Sequence, residues 1–504
     1  MKSLKNILAA VQAVPVWWWV LLITVVGAGL RVYDLGGESI WLDEAHTYRR
    51  MTVSLPAMLA DCHQRGQGPL YYLLARPWCD VAGCSEFAMR FPAAVFGTLC
   101  IPMIFVVAAK LWNKTAGLCA AWLLTIHPFA IHYAQEARPY SLFLLLALGS
   151  YFALLKLLDR NDHRSGDHRW LWGYAAFTTA ALYTHPYGVF VAVSQALIFM
   201  CHLLSTRQRP GIGRWKQLYT AVGLVTVLYL PQLIHHATSY MANPVARIGW
   251  IKQRSFLYML EIPIRHSMYD PLGYLAAALV AVAILVGLRR GTALLKDTGL
   301  VLVASVACSF LLLPWIMSAI SNPMLVIRYT IVAMAAFALL LAWAVSTFPA
   351  RIRASALLLL TVVAAIPLNH YFTYACKEPW RAIAAELRER VQPGDLVVST
   401  SSGCDYALRF YMDGTPFAPQ VFSVSNRRDL AAALTSTNRL WLIRSYGNNR
   451  RWKPLVEAST PVEILSVNDP QVYIGKRRMT AQLYRTSELR RAAYYARQGA
   501  TQFR

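Results

Sequence analysis

The chain has 504 residues, of which 57% are hydrophobic and 15% charged, and its formal net charge is +24. A soluble globular domain carries about a quarter charged residues, so this composition excludes that class and indicates a membrane protein. The positive excess does not mark a nucleic-acid binder, because Lys and Arg are spread over short loops and a polar carboxy-terminal part without forming one basic face.

The first apolar run, about 16–33, follows Lys2 and Lys5. It resembles a signal peptide but is long and has no small-residue cleavage site, so it reads as a retained anchor. About 20 apolar residues span a bilayer. Further runs follow at about 91–111, 115–132, 140–158, 170–184, 186–204, 217–236, 271–288, 299–319, 329–348 and 354–372. The expectation is a polytopic α-helical membrane protein of about eleven spans, within a range of ten to thirteen.

Short loops rich in Lys and Arg mark the cytoplasmic side. The loops holding Lys110 and Lys114, then Lys156 to Arg169, Arg207 to Lys216, Arg289 to Lys296, and Arg351 with Arg353 fall on one side, together with Lys2 and Lys5. This gives a multi-pass protein of the cytoplasmic (inner) membrane with a cytoplasmic amino terminus. The loops 34–90 and 235–270 and everything after 373 are then periplasmic or extracellular.

The first outer loop opens with WLDEAHTYRR, which places Asp43 and Glu44 side by side next to Trp41, with His46 and Tyr48 close behind. SLPAMLADCHQ and PLYYLLARPW have helix-like apolar spacing. Such segments lie flat at an interface, where Tyr71, Tyr72 and Trp78 would serve as anchors. The fourth span begins with HYAQEARPYSL, which puts Glu136 and Arg138 at its outer end, as site residues or as a local salt bridge. The loop before the eighth span offers Arg247, Lys252, Arg254, Arg265 and His266, and Arg328 precedes the tenth span. Snorkelling at span ends accounts for Arg31 and is an alternative for Arg328.

After residue 373 the pattern changes. WRAIAAELRERV reads as an amphipathic helix closed by Pro393 and Gly394, DLVVST as a buried strand, YALRFYMD as a helix, and RLWLIRS, VEILSV, VYIGK and TAQLYR as strands. The alternation predicts a small α/β domain at 373–485, outside the membrane domain of 1–372, with a basic tail at 486–504. No nucleotide-binding fingerprint is present. Nine cysteines include no C-x-x-C pair, so zinc spacing is absent. Cys62, Cys79, Cys84, Cys376 and Cys404 fall outside the cytoplasm, where disulfides persist.

Acids and bases gathered on one membrane face suit the transfer of a sugar from a lipid phosphate. The leaving phosphate needs Arg, Lys or a divalent cation. The acceptor hydroxyl needs a carboxylate to take its proton.

In order along the chain, WLDEAHTYRR, PLYYLLARPW, FAMRFPAAVFG and YAQEARPYSLFLL resemble the signature of the GT-C glycosyltransferases. More narrowly, they resemble the protein mannosyltransferase and aminoarabinose transferase superfamily in its bacterial membrane form. The likeness is good over about the first 190 residues and weaker to about 380, through IRYTIV and CKEPWRAIAAELRERVQPGDLVV. It implies an inverting enzyme that takes a sugar from a polyprenyl-phosphate carrier at the outer face and passes it to a glycan, lipid or protein acceptor. Carried over residue by residue, Asp43 would act as general base or position the acceptor, Glu44 would assist it or help hold a divalent cation, Arg138 would lie near the donor, and Glu136 beside it would contact the acceptor or a metal. Arg265 and Arg328, from their place at the outer face, join Arg138 as candidates to bind the donor phosphate. Asp43, Glu44 and His46 are the candidate ligands of a divalent cation, Mg²⁺ or Mn²⁺. The chain departs from the pattern at HQRGQGPLYY, where relatives often carry His-Pro-Pro. His63 is displaced, and either Gln67 takes over its function or the loop is simply longer. The alternative function is a transporter or flippase of lipid-linked glycans. Such proteins hold their charges near the bilayer midplane, whereas here the midspan segments are nearly free of charge.

Overall fold

The computed structural model describes residues 14–159, 168–205, 212–242, 251–289, 297–374, 377–399, 403–412, 421–423, 437–444, 463–467 and 479–485. Arg247, Cys376, the expected strand VYIGK and the tail 486–504 lie outside these residues. The chain forms two compact units. The first comprises Met1–Leu35, Ser54–Ala82 and Arg90–Asn369, and the second Gly36–Val53, Gly83–Met89 and His370–Arg504.

In chain order the helices of the amino-terminal part are α1 (Val16–Val32), α2 (Leu42–Thr52), α3 (Leu55–Gln64), α4 (Leu70–Ala82), α5 (Glu86–Leu111), α6 (Lys114–Thr125), α7 (Pro128–Ala134), α8 (Tyr140–Leu158), α9 (Arg169–Thr184) and α10 (Gly188–Ser205). They continue as α11 (Ile212–Ala242), α12 (Phe256–Arg265), α13 (Asp270–Arg289), α14 (Thr298–Ala307), α15 (Leu313–Ile320), α16 (Ile331–Ser346) and α17 (Ala350–Thr373). Among the described residues, seven helical stretches are long and apolar enough to cross a membrane, or eight if the bent pair α6–α7 is one span. The runs Val16–Val32 and Gly188–Leu204 form shorter apolar helices.

The stretch 115–132 is not one straight span. A bend of 61° parts α6 from α7. Pro128 disfavours helical backbone at the residue before it, and His127 is extended there (φ −72°, ψ 115°). Arg31 takes up the carbonyls released at the break. Its Nη2 donates to Leu124 O at 3.0 Å and its Nη1 to Thr125 O at 3.4 Å and Gly27 O at 3.0 Å. Arg31 is fully buried. The snorkelling expectation is therefore wrong, because three buried carbonyls hold the guanidinium more effectively than the interface would.

Small residues let the spans approach closely. Ala120 and Ala121 of α6 and Ala335, Ala336 and Ala342 of α16 are buried, and α16 packs against α6, α13 and α14. Helices α8, α9 and α10 share a neutral hydrogen-bond network. Ser150 Oγ pairs with Thr178 Oγ1 at 2.6 Å, Gln195 Nε2 donates to Ser150 Oγ at 2.6 Å, Tyr174 OH donates to Gln195 Oε1 at 3.0 Å, and Tyr151 OH pairs with Ser194 Oγ at 2.6 Å.

The second unit contains α2, α18 (Trp380–Arg390), α19 (Cys404–Met412) and the strands β1 (Leu396–Ser399), β2 (Val421–Ser423), β3 (Arg439–Arg444), β4 (Glu463–Val467) and β5 (Met479–Arg485). They form one sheet in the order β2-β1-β3-β5-β4. Strand β1 runs parallel to β2 and β3, and β5 runs antiparallel to β3 and β4. Helix α18 buries Trp380, Ile383, Ala384 and Leu387, the i, i+3, i+4, i+7 face of an amphipathic helix. Gly394 ends that stretch at φ +90°, where a side chain would be strained. Asp395 ties the sheet together, accepting from Trp441 Nε1 at 3.0 Å and pairing with Arg439 Nε at 2.8 Å. Ile40 and Ala45 lie in the same core as Trp380, Val397 and Trp441, so the beginning of the first loop folds with the carboxy-terminal unit. No disulfide joins the cysteines among the described residues.

Candidate functional site

Asp43 and Glu44 occupy the first turn of α2, where carboxylates complement the helix dipole. They are adjacent in sequence but about 100° apart around the axis. Glu44 is fully buried, and its carboxylate faces Lys377 Nζ at 3.3 Å. Lys377, only 5% exposed, also stands 4.0 Å from Glu38. Asp43 keeps partial exposure. One turn on, the His46 ring packs edge-on to Tyr406 at 5.6 Å. A Cβ on Gly403 would come within 2.7 Å of the His46 ring, and Gly403 has φ +93°. Arg49 lies over the Tyr406 ring at 4.8 Å, and Tyr48 meets Phe410 at 5.0 Å.

The KEPWR segment fastens this loop from the other side. Arg381 donates to the carbonyls of Gly36 at 3.0 Å and Gly37 at 2.9 Å and pairs with Glu86 at 2.7 Å. Trp380 Nε1 donates to Glu378 at 2.7 Å. The Tyr411 hydroxyl accepts from Ile40 N at 2.7 Å and shares a hydrogen bond with Ser39 at 3.1 Å. Burial pushes the Tyr411 phenol up to about 12, so it stays protonated.

A second group of polar side chains lies within the first unit. Glu136 is 3% exposed, and its Oε1 stands 3.1 Å from His132 Nε2. Its Oε2 is buried without a hydrogen-bond partner among the described residues. Arg138 is 6% exposed. It donates to Tyr72 OH at 3.4 Å, which in turn donates to Gln67 Oε1 at 3.0 Å. His185, between α9 and α10, is ringed by Tyr329 at 4.9 Å, Phe143 at 5.1 Å, Tyr187 at 5.7 Å and Tyr140 at 5.9 Å. Burial, and then the charges of Arg138 and Arg328, hold His185 down at about 3 against its usual 6.5. Tyr187 N donates to His185 Nδ1 at 3.1 Å, which leaves the proton of the neutral ring on Nε2.

Arg328 sits in the turn Ile327–Thr330. Two residues on, Thr330 Oγ1 meets His266 Nε2 at 2.8 Å. Burial above all holds His266 at about 3 as well. His266 and His127 belong to the wall of an apolar cavity of about 330 Å³. The rest of the wall includes Ile264, Leu272, Met334 and Phe337.

The first unit thus brings Arg138 and Arg328 together around His185, while Asp43 and Glu44 belong to the second unit. Arg265 is elsewhere. It is exposed, pairs with Glu261 at 3.0 Å and lies over the Tyr258 ring at 4.9 Å. Helix α12 turns it away from the buried side that carries Met259 and Ile262. Tyr71 and Tyr72 are fully buried and are not interfacial anchors. His63 lies against His235, and Gln67 is the residue connected to Arg138. The loop Gly66–Pro69 rests on the end of α9, since a side chain at Gly68 would overlap the Tyr183 carbonyl.

Among the described residues no three His, Cys, Asp or Glu side chains are grouped to hold a metal ion. Of the expected set, Glu44 faces Lys377 and the His46 ring packs on Tyr406. Lys377, which faces Glu44, and Tyr72, which accepts from Arg138, have no site role in the sequence pattern, and neither has His185.

Residues 66–235 match the model of the dolichyl-phosphate-mannose-protein mannosyltransferase family. No curated protein matches the chain by sequence. The structure is similar to that of ArnT from Cupriavidus metallidurans bound to undecaprenyl phosphate, with a TM-score of 0.60 at 14% identity, covering 92% of this chain and 98% of that one. The apo state of the same protein gives 0.61 at 13% identity, with 92% and 97% covered. The oligosaccharyltransferase of Archaeoglobus fulgidus in complex with Zn and sulfate gives 0.53 at 12% identity, covering 84% of this chain and 67% of that one. The family pattern occupies residues 66–235, and the chain as a whole has the polytopic GT-C fold of these glycosyltransferases.

Proposed function

We propose that this protein is a glycosyltransferase that moves a sugar from a polyprenyl-phosphate carrier to an acceptor hydroxyl at the non-cytoplasmic membrane face. The observation that carries the reading lies within the first unit. Arg138 and Arg328 lie 6.0 and 5.6 Å from the Tyr140 and Tyr329 rings that surround the buried neutral His185, and Thr330, in the turn holding Arg328, meets His266 in the wall of the apolar cavity of about 330 Å³. An isoprenoid tail suits such a cavity, and a phosphate suits the paired guanidiniums. The similar ArnT structure holds undecaprenyl phosphate.

The chemistry is a single displacement. The acceptor oxygen attacks the anomeric carbon opposite the phosphate, and its proton passes to the Asp43 carboxylate. The bond from sugar to phosphate oxygen breaks, and polyprenyl phosphate leaves with the electron pair. One displacement inverts the anomeric centre. Arg138 and Arg328 meet the charge that grows on the leaving phosphate. The unmatched Glu136 Oε2 is assigned to an acceptor hydroxyl. No step runs through a cation.

The test has two arms. Native mass spectrometry of Arg138→Ala and Arg328→Ala should show weakened binding of undecaprenyl phosphate. Mass spectrometry of glycolipids and glycoproteins from cells with and without the gene should show one sugar modification that depends on it and disappears in Asp43→Asn. Wild-type binding in both arginine variants together with an unchanged glycan profile on deletion would refute the reading.

A further inference from the structure

We propose that Lys377 positions Asp43, holding the helix that carries it at one rotation. The inference rests on the catalytic role proposed above for Asp43, but its observations all lie inside the second unit.

Helix α2 buries Ala45, Thr47 and Met51 along with Glu44. The buried ion pair adds a directional constraint to these contacts. Glu44 is fully buried and Lys377 nearly so. Two ions withdrawn from water hold their geometry tightly, because either one alone would be left uncompensated. Asp43 and Glu44 are consecutive on one helix, so fixing where Glu44 points fixes where Asp43 points.

Further contacts keep α2 from tilting. The Gly403 backbone lies so close to the His46 ring that no Cβ fits there. Tyr411 holds Ile40 ahead of the helix. Arg381, four residues after Lys377, holds Gly36 and Gly37. Lys377 is the group in this set whose partner is the immediate neighbour of Asp43. It follows closely in the chain on the last long apolar helix, which ends at Thr373. Glu38, at 4.0 Å, adds a second carboxylate to the same ammonium.

Positioning predicts a specific pattern of loss. The variants are Lys377→Met and the exchanged pair Glu44→Lys with Lys377→Glu, in the full-length protein. Two quantities are read. One is the initial rate of formation of the gene-dependent glycan product, followed by mass spectrometry. The other is the affinity for undecaprenyl phosphate. Lys377→Met should lower turnover on the order of 10²-fold, the cost of a misplacement of about 1 Å, and leave undecaprenyl phosphate affinity at the wild-type value. The exchanged pair should recover most of the turnover. Wild-type turnover in folded Lys377→Met overturns the inference. If Lys377→Met does not fold, the exchanged pair decides, and folded but inactive exchanged protein overturns it. Full activity in Asp43→Asn refutes the catalytic reading beneath. An inactive Asp43→Asn beside a fully active Lys377→Met refutes the positioning role alone.

Discussion

The two units solve the burial of polar groups in opposite ways. Within the first, α8, α9 and α10 are joined by neutral groups, Ser150, Thr178, Gln195 and Tyr174, each matched to another hydroxyl or amide. The second is fastened by charges from distant parts of the chain, Lys377 with Glu44, Arg381 with Glu86 and Arg439 with Asp395. A span surrounded by hydrocarbon holds ions only at high cost, whereas a domain in contact with water can assemble ion pairs as it folds. The charges of the first unit fall into two kinds. Arg31 and Arg90 are completely or nearly buried and bind main-chain carbonyls, so they are structural. Arg138 and Arg328 gather around an aromatic-ringed histidine instead, and Glu136 has one oxygen unmatched among the described residues.

The severest way to break this comparison is at the proposed base. Asp43→Asn should cost about 10²–10⁴-fold in turnover, the usual contribution of a positioned general base, with no change in the unfolding midpoint of detergent-solubilised protein. Next in size is the ion pair. Lys377→Met should destabilise the second unit by up to about 3–5 kcal/mol, since it breaks a buried ion pair. Limited proteolysis should then cut between 377 and 444 while the helical bundle stays intact. Equal destabilisation of both units would erase the distinction drawn between them.

The effect of pH is smaller and its sign is definite. The folded-state pKa of His185, about 3, is below the unfolded value of 6.5. As pH falls from about 6.5 towards 3 the unfolded chain gains a proton that the folded chain refuses. Stability is therefore lost on acidification, by at most about 1.4 kcal/mol per pH unit from this group. His185→Asn should flatten the fall in melting temperature between these values. The smallest effect belongs to the neutral network. Gln195→Leu should cost about 0.6–1.7 kcal/mol, the measured range for hydrogen bonds between membrane helices. A loss as large as that of Lys377→Met would show that the bundle depends on its polar groups as much as the second unit does.

The spans were legible because twenty apolar residues in a row have few other uses, and α18 was legible from its i, i+3, i+4, i+7 face. The motifs running from Asp43 to Arg138 carried the likeness that the fold comparison bears out. Helix α2 was not legible. Its sequence is polar, and it is held by Lys377 and Tyr406, more than three hundred residues away. The side of α12 that Arg265 takes was not legible, because closeness to a span end in one dimension does not say which side of a helix a residue occupies. The break at His127 was visible in principle, since Pro128 was there to be read. Arg31 was misread because the carbonyls it serves exist only once that break has formed.

The distance along the chain between Glu44 and Lys377 has a consequence for biosynthesis. The two are separated by 333 positions, which at ordinary ribosomal speed is a delay of roughly 17–67 s. Throughout that interval the acidic helix has been made and its ammonium partner has not. The carboxylate keeps its hydration shell until the last long apolar helix has been threaded into the bilayer. A nascent or truncated product that stops short of this point therefore leaves Glu44 of its acidic helix without the Lys377 ammonium.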